Sequence, residues 1–233
     1  IQRAPGLFLQ IKAKIDPMQS YGQVWASGSQ KFALMKGVAD SLAGRICPLE
    51  LMPLSLYERL GKGLEQHPYK PGVSPSSTLK GEVGKDLWPI IWQGAWPRVI
   101  NMTPRQRSFF YSGLVQTYLE RDVRTEAGVE KLAEYRGFLR EMALRSGQEL
   151  RTGAIARSVG VTEKTIKGWL SLAESSGLIY LLRPYHANIG KQFVKSPKIY
   201  FTDTGLAAYL IGFSSPEQMA QYATSSAFFE TFG

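Results

Sequence analysis

Basic side chains in the second half of the sequence have a spacing that suits the binding of phosphate groups. They fall on a predicted helix and on a predicted ribbon that follows it: Lys164, Lys167, Arg183, Lys191, Lys195 and Lys198. Ammonium and guanidinium groups hold phosphate oxygens by charge, without reading base sequence. The helix carries no Arg, Asn or Gln that could contact base edges. The pattern predicts non-specific contact with a nucleic acid backbone; the alternative, that these lysines are merely solvated, stays open.

A helix-turn-helix followed by a wing must position these cations. Thr152 is predicted to cap a first helix, Gly160 to supply a left-handed turn, and Thr162 to cap a second helix that ends near Gly177. Apolar residues at helical spacing predict the buried face of that second helix: Ile166, Trp169, Leu170 and Ala173. The stretches "LIYLLRPY", "HANIGK" and "QFVKSPKIYF" then predict a strand, a wing tip and a returning strand. Such modules also pack against neighbouring domains, so binding to DNA and a purely interacting role are both open.

Composition limits the kinds of site the chain can hold. The chain has 233 residues and a formal net charge of +9, which favours a polyanionic partner. Its single cysteine excludes an intrachain disulfide, and its two histidines give no zinc site at the usual spacings. No apolar run is long enough to span a membrane. We therefore expect a cytoplasmic protein that holds no metal and binds no membrane.

The elements along the chain predict an α/β part followed by a mainly helical part. "GQVWASGS" and "ICPLEL" indicate strands that alternate with helices, as in a parallel sheet. A Gly-, Pro- and Ser-rich stretch follows and indicates a flexible linker. The predicted segments are the α/β part over 1–60, the linker over 61–86, a helical connecting region over 87–147, the winged helix-turn-helix over 148–212, and the start of a further domain over 213–233.

In this order the segments resemble a prokaryotic family of AAA-type ATPases, in which the ATPase core precedes a C-terminal domain of uncharacterised function. The end of that core is similar to "ASGSQKFALMKGVADSLAGRICPLELMPLS". Later landmarks of the family resemble "TYLERDVR", "LREMALRSGQEL", the stretch from "VGVTEKTIKGWL" to "FTDTGLAAYL", and "FFETF". The resemblance spans nearly the whole chain except the 61–86 stretch. It implies the C-terminal part of a parallel-sheet ATPase core, followed by a winged helix.

The chain departs from that family in its nucleotide-binding motifs. No P-loop of the form G-x-x-x-x-G-K-[ST] occurs, and the family's acidic Walker B pair stands just before the stretch that resembles "IQRAPG". We expect a piece of a longer protein that binds ATP and magnesium. This chain alone is expected to have no ATPase activity and to bind neither cofactor.

The resemblance also implies roles for particular residues. Ser27, with Ser29 behind it, stands where the family places a sensor for the γ-phosphate, and Arg45 stands where it places an arginine finger that acts on a neighbouring subunit. An arginine finger would imply a homo-oligomer formed through the ATPase core. The alternatives are a strand-end serine that satisfies the backbone and an arginine held in a salt bridge.

Two acidic residues near the end remain to be assigned. In the family, "FETF" opens a region that resembles restriction endonucleases, and Glu230 would be the first of its metal-binding acids. Asp203 suggests no chemistry from sequence, and we expect it to be a helix N-cap before "TGLAAYL".

The leading hypothesis is that nucleotide state in an AAA-type protein controls a winged-helix region that binds DNA or a partner protein. The alternatives are a non-enzymatic DNA-binding regulator and a winged helix used only for protein interaction.

Overall fold

The structure is a computed structural model that describes residues 6–18, 22–27, 42, 44–65, 87–119, 123–124, 129–185 and 196–232. Several predictions from sequence lie outside these residues. They concern Ser29, most of the 61–86 stretch, the wing tip, Lys191 and Lys195.

The described part of the chain is mainly helical, with a small antiparallel sheet. The helices in chain order are α1 (Gly6–Ile15), α2 (Leu56–Arg59), α3 (Leu87–Gln93), α4 (Pro104–Tyr118), α5 (Leu132–Leu144), α6 (Thr152–Val159), α7 (Glu163–Ser175), α8 (Thr204–Ile211), α9 (Pro216–Ala220) and α10 (Ser225–Phe232). The strands are β1 (Ile179–Leu182) and β2 (Lys198–Phe201), and short 3₁₀ turns cover Gly63–Glu65 and Pro97–Val99.

Local capping chemistry sets where several helices begin. Thr103 and Gln106 form a reciprocal capping box at the start of α4, with Pro104 at the first helical position. Thr162 accepts a hydrogen bond from the Thr165 amide and caps α7, as the sequence predicts. The prediction for Thr152 is wrong by one residue. Arg151 occupies the cap position without a side-chain bond, and Thr152 is the first helical residue. The Thr152 hydroxyl donates to Glu163.

The turn between α6 and α7 and a pair of strands after α7 occur as the sequence predicts, and β1 and β2 are shorter than the predicted stretches. Gly160 ends α6 with φ of 78°, in the left-handed region. β1 and β2 pair antiparallel, with Ile179 opposite Phe201 and Leu182 opposite Lys198. On the side of β2 away from β1, Glu149, which precedes α6, forms an antiparallel β-bridge with Lys198.

One hydrophobic core serves the whole region from α3 to α10. It includes Ile91 of α3, Tyr135 and Phe138 of α5, Ile166 of α7 and Phe228 of α10, all at most 1% exposed. Residues of the ranges 87–147, 148–212 and 213–233 therefore pack together. A small separate cluster joins Phe8 of α1 to Leu42.

The prediction of strands in the N-terminal part is wrong for the residues that the structure describes. Residues 22–27 and 46–51 have no β pairing, and Trp25, Leu49 and Leu51 are 83%, 74% and 100% exposed. A strand is stable only where neighbours satisfy its N–H and C=O groups, and none of the described residues pairs with these segments. The predicted parallel sheet is accordingly not seen here, and both observed strands are antiparallel.

No helix among the described residues combines the length and apolarity needed to cross a membrane.

Two glycines of the helix-turn-helix give a matched test of its turn. Gly160 requires the left-handed conformation, whereas Gly168 lies within α7 with nothing within 4 Å of an added Cβ. We expect Gly160→Ala to lower the free energy of unfolding by about 1 kcal/mol, and Gly168→Ala to raise it by roughly 0.5–1 kcal/mol. Urea denaturation followed by circular dichroism measures both. Equal effects of the same sign would contradict the assignment of the turn.

Candidate functional site

The exposed face of α7 presents Lys164 and Lys167 to solvent. Glu163, the acidic neighbour that would weaken binding of a polyanion, is turned toward α6. Its Oε2 accepts a hydrogen bond from the Thr152 hydroxyl at 3.2 Å. Lys164 and Lys167 are therefore exposed, while the neighbouring Glu163 carboxylate is hydrogen-bonded to α6.

The opposite face of α7 fixes the direction in which these lysines point. The predicted inward residues are all buried: Ile166 is 0% exposed, Trp169 6%, Leu170 5% and Ala173 0%. The Trp169 ring packs edge-on against Tyr135 and Phe138 of α5, with centroids 5.2 and 5.7 Å apart. Because α7 cannot rotate without breaking these contacts, packing keeps Lys164 and Lys167 at the surface.

The two described cations of the ribbon, Arg183 and Lys198, lie in different surroundings. Arg183 follows β1 and is exposed. Lys198, at the start of β2, donates to the Glu230 carboxylate, with Nζ and Oε1 2.6 Å apart. That hydrogen bond raises the pKa of the Lys198 ammonium and lowers the pKa of Glu230. Lys198 is thus not an unpaired cation, and Glu230 faces a lysine rather than other acids.

The candidate nucleotide-sensing residues lie at the surface of the N-terminal part. Ser27 is exposed in an extended segment. Arg45 forms an ion pair with Asp16, with Nε and Oδ1 2.5 Å apart and both side chains 40% exposed. The structure therefore gives Arg45 the salt bridge that sequence analysis weighed against a role as arginine finger.

A buried polar cluster centres on Asp203, whose side chain is almost wholly removed from solvent. Oδ1 accepts from the Leu206 amide at 2.6 Å, which makes Asp203 the N-cap of α8 as predicted. The same oxygen accepts from the Tyr111 hydroxyl at 2.8 Å, and Oδ2 accepts from the Ala95 amide at 2.6 Å. Burial raises the pKa of Asp203, and the hydrogen bond from Ala95 opposes that shift.

Two arginines complete the surroundings of this carboxylate. Arg59 of α2 donates to the Gly94 carbonyl at 2.7 Å and to the Gln93 side chain at 2.6 Å. Arg107 of α4 lies over the Trp92 ring, 3.5 Å from its centroid, and is 7% exposed. Both guanidinium groups attract the negative charge of Asp203, while burial lowers the pKa of each. The cluster thus compensates one buried carboxylate with hydrogen bonds and nearby cations.

The close approach of the backbone to Asp203 depends on Gly94. Its φ is 86°, and an added Cβ would lie 2.8 Å from both carboxylate oxygens. Sequence reasoning missed these contacts because Tyr111 and Ala95 are distant from Asp203 along the chain, and only the capping role has a local signal. The Ala95 carbonyl also accepts from the Leu54 amide at 2.8 Å, so the cluster joins the segment before α2 to the helical region.

Among the described residues, no three His, Cys, Asp or Glu side chains come close enough together to hold a metal ion.

The helical region belongs to the family described as a domain of unknown function (DUF8612), whose model matches residues 84–217 and so more than half of the chain. Residues 1–60 match the model of the AAA domain. This match supports an AAA-type domain in the N-terminal part, where the resemblance implies the C-terminal part of an ATPase core.

Two curated relatives, both uncharacterized proteins, come from Mycobacterium bovis and Mycobacterium tuberculosis. Each is 28% identical over 212 residues, which is 91% of this chain and 43% of the relative. The chain thus spans less than half the length of these relatives. No solved structure matches it.

Two N-cap substitutions distinguish the stability contributed by the buried Asp203 cluster from the stability contributed by a helix cap alone. Thr162→Ala removes a cap and an exposed contact with the Thr165 hydroxyl, so we expect it to lower the free energy of unfolding by about 1 kcal/mol. Asp203→Ala removes a cap, leaves the Ala95 amide without its buried acceptor and leaves the Tyr111 hydroxyl with only the Gln93 carbonyl at 3.2 Å, so we expect a loss of about 2–4 kcal/mol. Urea denaturation of both variants measures the difference. A loss for Asp203→Ala no larger than that for Thr162→Ala would show that the cluster adds nothing beyond the cap.

Proposed function

We propose that this chain is part of an AAA-type ATP-binding protein in which the nucleotide state controls a winged-helix region that binds the DNA backbone. The observation that carries the proposal is the order of the parts. An AAA-type domain over 1–60 precedes a helix-turn-helix with outward lysines and a following ribbon. ATP and magnesium would be bound in the longer protein, with assembly of identical subunits through the AAA part.

The order and pairing of the elements support a winged helix. α5 packs against α7 through Tyr135, Phe138 and Trp169, and α6 contacts both helices. β1 and β2 follow α7. The bridge at Glu149 places the residues between α5 and α6 beside β2, so β2 lies between them and β1. In helix-turn-helix proteins that bind DNA, the second helix of the pair enters the major groove. In this chain that helix is α7.

The charges on α7 support contact with phosphates rather than base readout. Lys164 and Lys167 are exposed, and Glu163 is bonded to α6. A lysine holds a phosphate as a point charge and carries little base specificity. The overall charge of +9 adds a long-range attraction to any polyanion.

On the ATPase side, Arg45 remains the candidate finger, and Ser27 and Ser29 the candidate sensor residues. The Asp16 carboxylate holds Arg45 at the surface, in a pair accessible to solvent. An exposed pair of this kind contributes little stability and exchanges readily. Arg45 could therefore leave Asp16 for a phosphoryl group on a neighbouring subunit without loss of the fold.

Binding to duplex DNA is tested by a double substitution on α7. We expect Lys164→Gln with Lys167→Gln to weaken binding roughly tenfold at low salt and to reduce the slope of log K against log salt by about two, since each lysine releases about one counterion. Fluorescence anisotropy with a labelled duplex measures both quantities.

The control removes the same charge elsewhere, through Arg98→Gln with Arg105→Gln, two exposed positions before and within α4. An equal loss in both double variants would show attraction by net charge alone. Failure of the unaltered chain to bind duplex DNA at low salt would contradict the proposed function.

The role of Arg45 is tested in the longer protein that the proposal requires. We expect Arg45→Ala to lower ATP turnover on the order of 10³-fold, because a finger arginine stabilises charge in the transition state. ATP binding should be unchanged. Asp16→Asn breaks the same ion pair and should leave turnover intact. An equal loss of turnover in both variants would show that Arg45 acts only through the salt bridge.

A further inference from the structure

Helix α10 places one carboxylate over the outer face of β2. Lys198 Nζ and Tyr200 Oη both donate to Oε1 of Glu230, each at 2.6 Å. Residues two apart on a strand lie on the same face of a sheet, so the strand geometry itself brings these donors together. An ammonium and a phenol hydroxyl that converge on one anionic oxygen form a binding site for an oxyanion.

The position of the carboxylate depends on how α10 is anchored. Phe228 is 1% exposed in the core, and the Thr231 and Ser146 hydroxyls lie 3.0 Å apart. Ala227 packs against Gly147, where an added Cβ would lie 3.0 Å from the Ala227 carbonyl oxygen. Buried contacts hold the helix in place, and Glu230 projects from its outer side.

The ion pair itself is open to solvent and to competitors. The side chains of Lys198 and Glu230 are each 47% exposed. The other nearby acid, Glu149, pairs with Arg151 at 3.7 Å, so its charge is partly compensated. An exposed pair exchanges readily with other anions, since water and salt already screen its attraction.

We propose that Lys198 and Tyr200 form a site for a backbone phosphate of nucleic acid, and that Glu230 occupies this site until the nucleic acid displaces it. A phosphate oxygen carries the same kind of charge as a carboxylate oxygen and accepts the same two donors. The site lies at the start of the returning strand of the ribbon, and exposed Arg183 follows the paired strand β1. The inference rests on the proposed function, because it adds a phosphate contact to the same winged region.

The experiment compares two substitutions that each remove one negative charge from the 233-residue chain. Glu230→Gln removes the negative charge that competes with phosphate for Lys198 and Tyr200. Glu217→Gln removes the same charge at an exposed position of α9, where the carboxylate contacts Ser215 instead. We expect Glu230→Gln to tighten binding of a labelled DNA duplex about three- to fivefold and Glu217→Gln to tighten it less than 1.5-fold. Adding Lys198→Gln or Tyr200→Phe to Glu230→Gln should remove most of the gain.

A second arm uses inorganic phosphate as the probe, with NMR resonances of Tyr200 as the readout. Phosphate should shift these resonances in Glu230→Gln but not in Glu230→Gln with Lys198→Gln. Equal affinities of Glu230→Gln and Glu217→Gln for DNA would overturn this inference. The proposed function would still stand if substitution of Lys164 and Lys167 weakened DNA binding. Phosphate binding at Tyr200 with no DNA binding by any variant would overturn the proposed function and restrict the site to small phosphates.

Discussion

The buried carboxylate of Asp203 is the interaction on which the arrangement of the helical region depends. An isolated charge in a protein interior is strongly unfavourable, so its neighbours must supply hydrogen bonds and opposite charge. Here the donors come from three separate segments: Tyr111 in α4, Ala95 after α3, and Leu206 in α8. Satisfying one carboxylate therefore fixes the relative positions of all three.

The same cluster connects the AAA-type part to the helices that follow. Arg59 of α2 donates to the Gly94 carbonyl just after α3, and also to the Ile90 carbonyl, which already accepts from the Gly94 amide. The Ala95 carbonyl takes the Leu54 amide, while the Ala95 amide reaches Asp203. Ala95 therefore bonds to the segment before α2 through its carbonyl and to the N-cap of α8 through its amide.

Acidic partners decide which of the predicted cations are available at the surface. Asp16 holds Arg45, and Glu230 holds Lys198. The ion pairs among the described residues do not include Lys164, Lys167 or Arg183. The proposed DNA contact of α7 consequently differs from that of the ribbon. The lysines of α7 can contact a phosphate directly, whereas Lys198 must first exchange the Glu230 carboxylate for the phosphate.

The sequence by itself determined the features that arise within a few residues. Thr103 and Thr162 as caps, Gly160 as the turn and the buried face of α7 follow from contacts between residues three or four apart. Asp203 was predictable as a cap for the same reason. The strands predicted in the N-terminal part are absent from the described residues because β pairing needs a neighbour that spacing along the chain cannot supply. Only the tertiary structure decided that Asp203 joins Tyr111 and Ala95, and that Glu230 meets Lys198 and Tyr200. These contacts link residues far apart in the chain, and packing of the shared core, which has no local signature, brings them together.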